Sequence, residues 1–247
     1  MPENVANPPR SLRGLEGVLV KMFTKAASVS ALEQLSGRFR LITLSGPKLR
    51  GVRWVPGMKV QMALGGFVSR TYTPIQWDGE SGVTRLLAYV HGDAPASAWV
   101  KGLELGVSTP VFGPSDSLDL SALTRPGLLF GDETSIGLAH ALRFTAQGAQ
   151  GVSIVLEVSS KAETQSVLAH MQIEGVTLIE RQPDDAHGGE LEALVEQQVK
   201  DRGIASAALS GKSTSIQRLN KKLRALGLTS RQLRTKAYWA PGKAGLD

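Results

Sequence analysis

The chain has 247 residues, enough for one large domain or two of ordinary size, each with its own core. It contains no cysteine, which excludes disulfides, thiolate metal sites, iron–sulfur clusters and cysteine nucleophiles, and its apolar runs fall far short of the roughly 20 residues that span a bilayer. The formal charge of +6 is uneven: residues 200–247 hold 11 Lys and Arg against 2 Asp and Glu, net +9, and residues 1–199 hold the other 17 against 20, net −3. One end is built to meet something negative, whether nucleic acid, a phosphorylated cofactor or an anionic small molecule.

The opening MPENVANPPR has neither a basic start nor an apolar core, so residues 1–14 read as a disordered leader and not as a signal peptide; the cytoplasm is the expected location. The following segments alternate at period 2. In MKVQMAL, Met58, Val60, Met62 and Leu64 fall on one side and Lys59, Gln61 and Ala63 on the other. GVLVKMF, RFRLITL, VTRLLAYV and VSTPVFG read the same way, separated by Gly, Pro and Ser. Five or six short strands with no long helix predict an N-terminal antiparallel β-barrel over residues 1–124.

After SALTRPG the rhythm changes, with a boundary at Thr124–Gly127. Strand-like GLLFG is followed by helical SIGLAHALRFTAQG, then strand GVSIVLEV, helix AETQSVLAHM, strand GVTLIE, helix GELEALVEQQV, strand GIASAALS, helix TSIQRLNKKLRALG and strand LRTKAYW. Alternation of strands with helices of this length predicts a five-stranded parallel α/β domain over residues 125–247. Ligands of such open sheets sit beyond the carboxyl ends of the strands, which here carry GDETS, SSKAE and SGKSTS.

Three motifs carry chemistry. Gly211-Lys212-Ser213 looks like the end of a P-loop, but the required first glycine is Ser206, so the phosphate-cradling turn is missing. Gly211 instead suits a turn that lets a nucleotide approach the backbone, with Ser213 or Thr214 capping a helix whose inner face is Ile216, Leu219, Leu223 and Leu226. In RTYTPIQWD, Arg70 and Tyr72 share a strand face, so a guanidinium can meet a diphosphate while the phenol packs on a flavin; Thr73 offers a hydroxyl. The bland alternative is a plain strand with an exposed Arg. In HGDAPASAWV a turn runs into a helix start carrying Ser97, whose N–H groups suit a diphosphate, while His91 by itself reads as a turn histidine. The basic QRLNKKLR reads as a solvated helix face, and no aromatic interleaving points to nucleic acid.

Taken together, PGMKVQM, RTYTP, HGDAPASAW, GVSTPVFGP, LLFGDETS, VLEVSS and KAYWAPGKAG, in this order from Leu15 to Gly245, resemble the siderophore-interacting protein family, FAD-dependent ferric-siderophore reductases with a ferredoxin-reductase-like fold. The resemblance implies FAD on the barrel, held by Arg70, Tyr72, Thr73, His91, Asp93, Pro95, Ala96, Ser97 and Trp99, with Tyr72 and Thr73 at the reacting ring. It implies a pyridine nucleotide on the α/β half, at Gly131, Asp132, Thr134, Ser159, Ser160, Lys161, Gly211 and Lys212. Lys161 and Lys212 among hydroxyls lean toward NADPH over NADH, although Lys161 also reads as a solvated helix-start lysine. Four residues depart from the family's pattern: Ile75 stands where many members have a second Arg, Ser135 where Ala is usual, Gly137 where Pro is usual, and Lys212 where an acid is often found.

The expected activity is transfer of electrons from NAD(P)H through FAD to siderophore-bound Fe(III), releasing Fe(II). Lys236, Trp239 and Lys243 are the expected contacts to an anionic ferric chelate, with no metal ion held by the protein itself. The expected protein is a monomer with no nucleic-acid or membrane partner. Two other readings stay open: an NAD(P)H:flavin or quinone-type oxidoreductase, and a flavin-binding protein without turnover.

Overall fold

The computed structural model describes residues 24–65, 68–92 and 95–243. The leader, the segment GVLVKMF and Asp93 lie outside the described residues. Seven strands form one antiparallel sheet: β1 (Lys25–Gln34), β2 (Phe39–Ser45), β3 (Lys59–Gly65), β4 (Val68–Tyr72), β5 (Pro74–Asp78), β6 (Val83–Tyr89) and β7 (Ser108–Ser115), in the order β4-β3-β7-β1-β2-β6-β5. The sheet curls as a half-barrel around Val29, Ile42, Leu44, Val60, Met62, Leu86 and Val111, alternate residues of their strands, as period-2 patterning requires. β1 is a strand that periodicity missed. Its KAASVSALEQ buries only Ala27 and Val29, too small an apolar signal to read, yet it pairs with both β2 and β7. The short helix α1 (Pro95–Lys101) packs on this sheet through Val100.

The second sheet is parallel throughout: β8 (Gly127–Asp132), β9 (Val152–Val158), β10 (Val176–Glu180), β11 (Ser206–Lys212) and β12 (Leu233–Trp239), ordered β10-β9-β8-β11-β12. The chain leaves β8 for one side of the sheet and later returns to β11 on the other, so the switch point lies between β8 and β11. Helices α2 (Ile136–Ala141), α3 (Lys161–His170), α4 (Gly188–Arg202) and α5 (Ser213–Ala225) connect the strands. The fold class is the expected one.

Two local expectations change. The helix expected after β8 is short: α2 tightens into a 3₁₀ turn at Leu142–Phe144 and stops where Thr145 turns extended and returns both its N–H (3.0 Å) and its hydroxyl (2.7 Å) to the Leu142 carbonyl. At the other end of the sheet, β11 runs on through Gly211 and Lys212 directly into α5. Lys212 is therefore the N-cap, without a side-chain bond, and neither Ser213 nor Thr214 caps the helix.

The two sheets share a core. Phe39, Leu41, Ile75, Leu118 and Leu120 pack in one cluster with Leu129, Ile136, Leu138, Leu156 and Val167. A polar clamp flanks it. Ser160 caps α3, accepting from the Glu163 N–H, while the Glu163 carboxylate reaches the first sheet and accepts from Ser36 Oγ (2.7 Å), Arg38 N (3.0 Å) and Arg38 Nε (2.7 Å). Burial would raise the Glu163 pKa, but the Ser36 and Arg38 donors outweigh it and hold the carboxylate below its usual range. Ser-x-x-Glu thus opens the helix with one residue and joins the two sheets with the other.

Candidate functional site

A cavity of about 260 Å³ opens at the seam between the sheets. β4 and its exit supply Arg70, Tyr72 and Thr73, β6 supplies Tyr89, and the loop into α1 supplies His91, Pro95, Ala96 and Ser97. From the other side come Thr134 after β8, Gly137 on α2, Lys236, Tyr238 and Trp239 on β12, and Lys243. Residues far apart in the sequence thus face one space, and no carboxylate is among its described lining residues.

Arg70 and Tyr72 sit two apart on β4, an edge strand, and both line the cavity. The Tyr72 ring lies 6.2 Å from Trp99, which stands behind it on α1 rather than in the cavity wall. Burial pushes the Tyr72 phenol well up, with Arg70 pulling the other way, so it stays protonated at neutral pH. His91 stacks on Tyr89 at 5.5 Å. Ser97 is buried, and its hydroxyl closes the His91 turn, donating to His91 O (2.8 Å) and accepting from His91 N (3.2 Å). Thr73, between β4 and β5, meets Tyr238 across the seam, hydroxyl to hydroxyl at 3.1 Å.

Ile75 and Gly137, which read in the sequence as two separate departures, are one packing unit. A Cβ on Gly137 would stand 3.1 Å from Ile75 Cγ2 and 3.3 Å from the Thr73 carbonyl, so the branched side chain on β5 and the missing one on α2 compensate each other.

Behind the cavity the carboxyl ends of the strands hold a buried polar network. Asp132 is fully buried; its carboxylate accepts from Thr134 N (2.9 Å), from the Thr134 hydroxyl and from Trp239 Nε1 (2.6 Å). In this geometry it has no free face for a ligand and instead holds Thr134 and Trp239, which do line the cavity. Burial raises its pKa to about 6; the Thr134 and Trp239 hydrogen bonds pull down and neighbouring Glu133 pushes up. Gly131 and Gly211 are buried there too. A Cβ on Gly131 would meet Ser135 at 2.3 Å, and one on Gly211, at φ +95°, would meet the Asp132 carboxylate at 2.5 Å. The space at Gly211 is taken by Asp132.

Glu133 accepts from Ser159 N (2.6 Å), Ser159 Oγ (2.7 Å), Tyr89 OH (3.3 Å) and Arg181 Nη2 (2.8 Å). Burial works to raise its pKa, but Arg181 and the Ser159 donors win and keep it low. The Ser159 hydroxyl also receives Arg38 Nη1 (2.7 Å), so this side chain is committed to the network. Farther along, buried Glu157 accepts from Ser215 Oγ (2.8 Å) and pairs with His187 Nε2 (3.1 Å), whose Nδ1 accepts from the Gln182 N–H (3.2 Å). Lys212 is 7% exposed, ion-paired with Asp185, and 5.7 Å from the Trp239 ring, as is the Arg181 guanidinium. Lys161, half-buried at the start of α3 beside Ser160, has no ion-pair partner among the described residues. Tyr89, Glu133 and Arg181 escaped the sequence reading of the site. Tyr238 was legible only as part of the Tyr238-Trp239 aromatic tail, without its partner Thr73.

Residues 125–242 match the family model described as siderophore-interacting protein. The chain carries a siderophore-interacting protein domain. The matched stretch contains the whole parallel sheet, whereas the RTYTP and HGDAPASAW motifs lie before it. None of the curated proteins matches the chain. Across both sheets the fold is similar to that of a siderophore utilization protein from T. fusca (18% identity, TM-score 0.69, 91% of this chain and 95% of that one). It is likewise similar to the siderophore-interacting protein SipS from Aeromonas hydrophila (18%, 0.72, 89% and 92%). A ferredoxin NADP+ reductase from Neisseria gonorrhoeae, solved with bound FAD and NADP, shares the architecture at 13% identity (TM-score 0.70, 88% and 99%). The siderophore-interacting protein domain therefore sits in a ferredoxin-reductase-like fold.

Proposed function

We propose that this protein is a ferric-siderophore reductase, using FAD on the half before residue 125 and NADPH or NADH on the half after it. The observation that carries the reading is the seam cavity, where three cations, Arg70, Lys236 and Lys243, and the rings of Tyr72, Tyr89, Tyr238 and Trp239 converge from both sheets with no carboxylate among the described lining residues. That donor set fits a group with a flat ring and a diphosphate. FAD, when bound, supplies a ring that takes a hydride and gives up electrons singly. Arg70 would hold the diphosphate, Tyr72 would wall the ring, and Thr73 would reach its polar edge.

One nicotinamide donor supplies two electrons and two ferric chelates take one each, so the balance is NAD(P)H plus two Fe(III) chelates giving NAD(P)+, a proton and two Fe(II). Siderophores hold Fe(III) through hard oxygens, and reduction loosens them. Lys236 and Lys243 give the cavity mouth a positive field for an anionic chelate. NADPH draws support from Lys161, half-buried beside Ser160, whereas the second cation favouring it, Lys212, is already paired with Asp185.

The test is optical. The purified protein should be yellow or take up added FAD, bleach anaerobically with NADPH or NADH, and regain colour with an anionic ferric siderophore faster than with a quinone. The Lys236→Ala/Lys243→Ala variant should lose rate on that chelate, and lose more at low salt than at high salt. A protein that folds but binds no flavin overturns the proposal; a yellow protein that neither nucleotide bleaches favours a binding role without turnover.

A further inference from the structure

Thr73 is the only residue between β4 and β5, and Tyr238 projects from β12 of the other sheet; their hydroxyls are 3.1 Å apart. Each hydroxyl has one proton to give and two lone pairs, so one of the two must donate to the other. The phenol is the better donor of the pair, because it is far more acidic than an alkyl alcohol. It also keeps its proton: burial pushes it up to about 12, the Thr73 bond opposing and the Asp132 charge adding. If Tyr238 donates, the Thr73 proton must find another acceptor, and among the described residues no group other than the Tyr238 hydroxyl is bonded to Thr73 Oγ1. The seam cavity, which both residues line, is the space left to it. Thr73 is also confined on its backbone side, where its carbonyl lies over Gly137.

We propose that Tyr238 is a positioning residue: it donates to Thr73 Oγ1 and thereby aims the Thr73 proton into the seam cavity, where it would meet the polar edge of a bound flavin ring. This rests on the flavin reading above and adds to it the residue that sets the direction of the hydrogen bond.

The test compares Tyr238→Phe, Thr73→Val and the double variant, all reconstituted with FAD. Tyr238→Phe should bind FAD within about twofold of the parent, shift the visible flavin band, and slow anaerobic bleaching by saturating nucleotide about tenfold, the effect of one ordinary hydrogen bond. Thr73→Val should give the same shift, the double variant should add nothing, and Thr73→Ser should restore the parent spectrum. A Tyr238→Phe spectrum identical to the parent while Thr73→Val shifts, or additive shifts in the double variant, overturns the proposal. Should Tyr238→Phe fail to fold, an unshifted band in Thr73→Val overturns it equally. A parent protein that takes up no FAD removes the flavin reading instead, and is distinguished by the absence of any visible band to compare.

Discussion

Replacing Asp132 with Asn should change how stability depends on pH, and the size of the change follows from the structure. Asp132 is fully buried, and burial, with Glu133 adding, lifts it from 3.8 to about 6 against the pull of Thr134 and Trp239. A carboxyl whose folded pKa lies above its unfolded value favours the fold when protonated. Its contribution is complete below about pH 4 and is lost as pH rises through 6, where the ionised form must be kept in the interior. A rise of about two pH units, at about 1.4 kcal/mol each, makes that loss about 3 kcal/mol. Asn cannot titrate, so the stability of Asp132→Asn relative to the parent should climb by about 3 kcal/mol between pH 4 and pH 7. Asn also offers one oxygen where Thr134 and Trp239 both donate, which adds a penalty of about 1–3 kcal/mol at every pH. The offset is therefore uninformative and the slope decides. Urea unfolding of both proteins at four pH values across that window measures it. A difference that stays flat within about 0.5 kcal/mol would refute the claim that burial dominates at Asp132.

Other substitutions probe the rest of the network and the seam. Glu133→Gln removes the main countercharge of Arg181, with the carboxylate side chain 3% exposed, and should cost about 3 kcal/mol in urea unfolding, because a partly buried cation is left short of its countercharge. Gly137→Ala would ordinarily gain about 1 kcal/mol inside a helix. Here the contacts with Ile75 and the Thr73 carbonyl should cancel the gain, which should reappear in part in an Ile75→Leu background, where the Cγ2 methyl is gone; equal effects in both backgrounds would mean that the two residues are not coupled. Gly211→Ala combines a φ of +95° with a clash on the Asp132 carboxylate and should lower stability by at least about 2 kcal/mol, with a change in tryptophan fluorescence as the Trp239–Asp132 bond is disturbed.

The period-2 and strand–helix rhythms determined the architecture by themselves, because alternation along a strand and the spacing of apolar helix faces are local properties. The pairing of Arg70 with Tyr72 in RTYTP was legible for the same reason: the two share a face by strand geometry alone, and both line the seam cavity. β1 was not legible, since its small residues are buried only by their neighbours on both sides. Tertiary packing alone decided which polar residues remain available to a ligand. Asp132, Ser159 and Lys212 have the chemistry of nucleotide contacts, yet the strand ends turn them toward Trp239, Glu133 and Asp185. Lys161 is left without an ion-pair partner among the described residues. The pairing of Thr73 with Tyr238 and of Ile75 with Gly137 joins residues that are distant in the chain. A hydrogen bond or a missing methyl between such residues leaves no periodic trace in sequence, because it exists only once two separately folded surfaces meet.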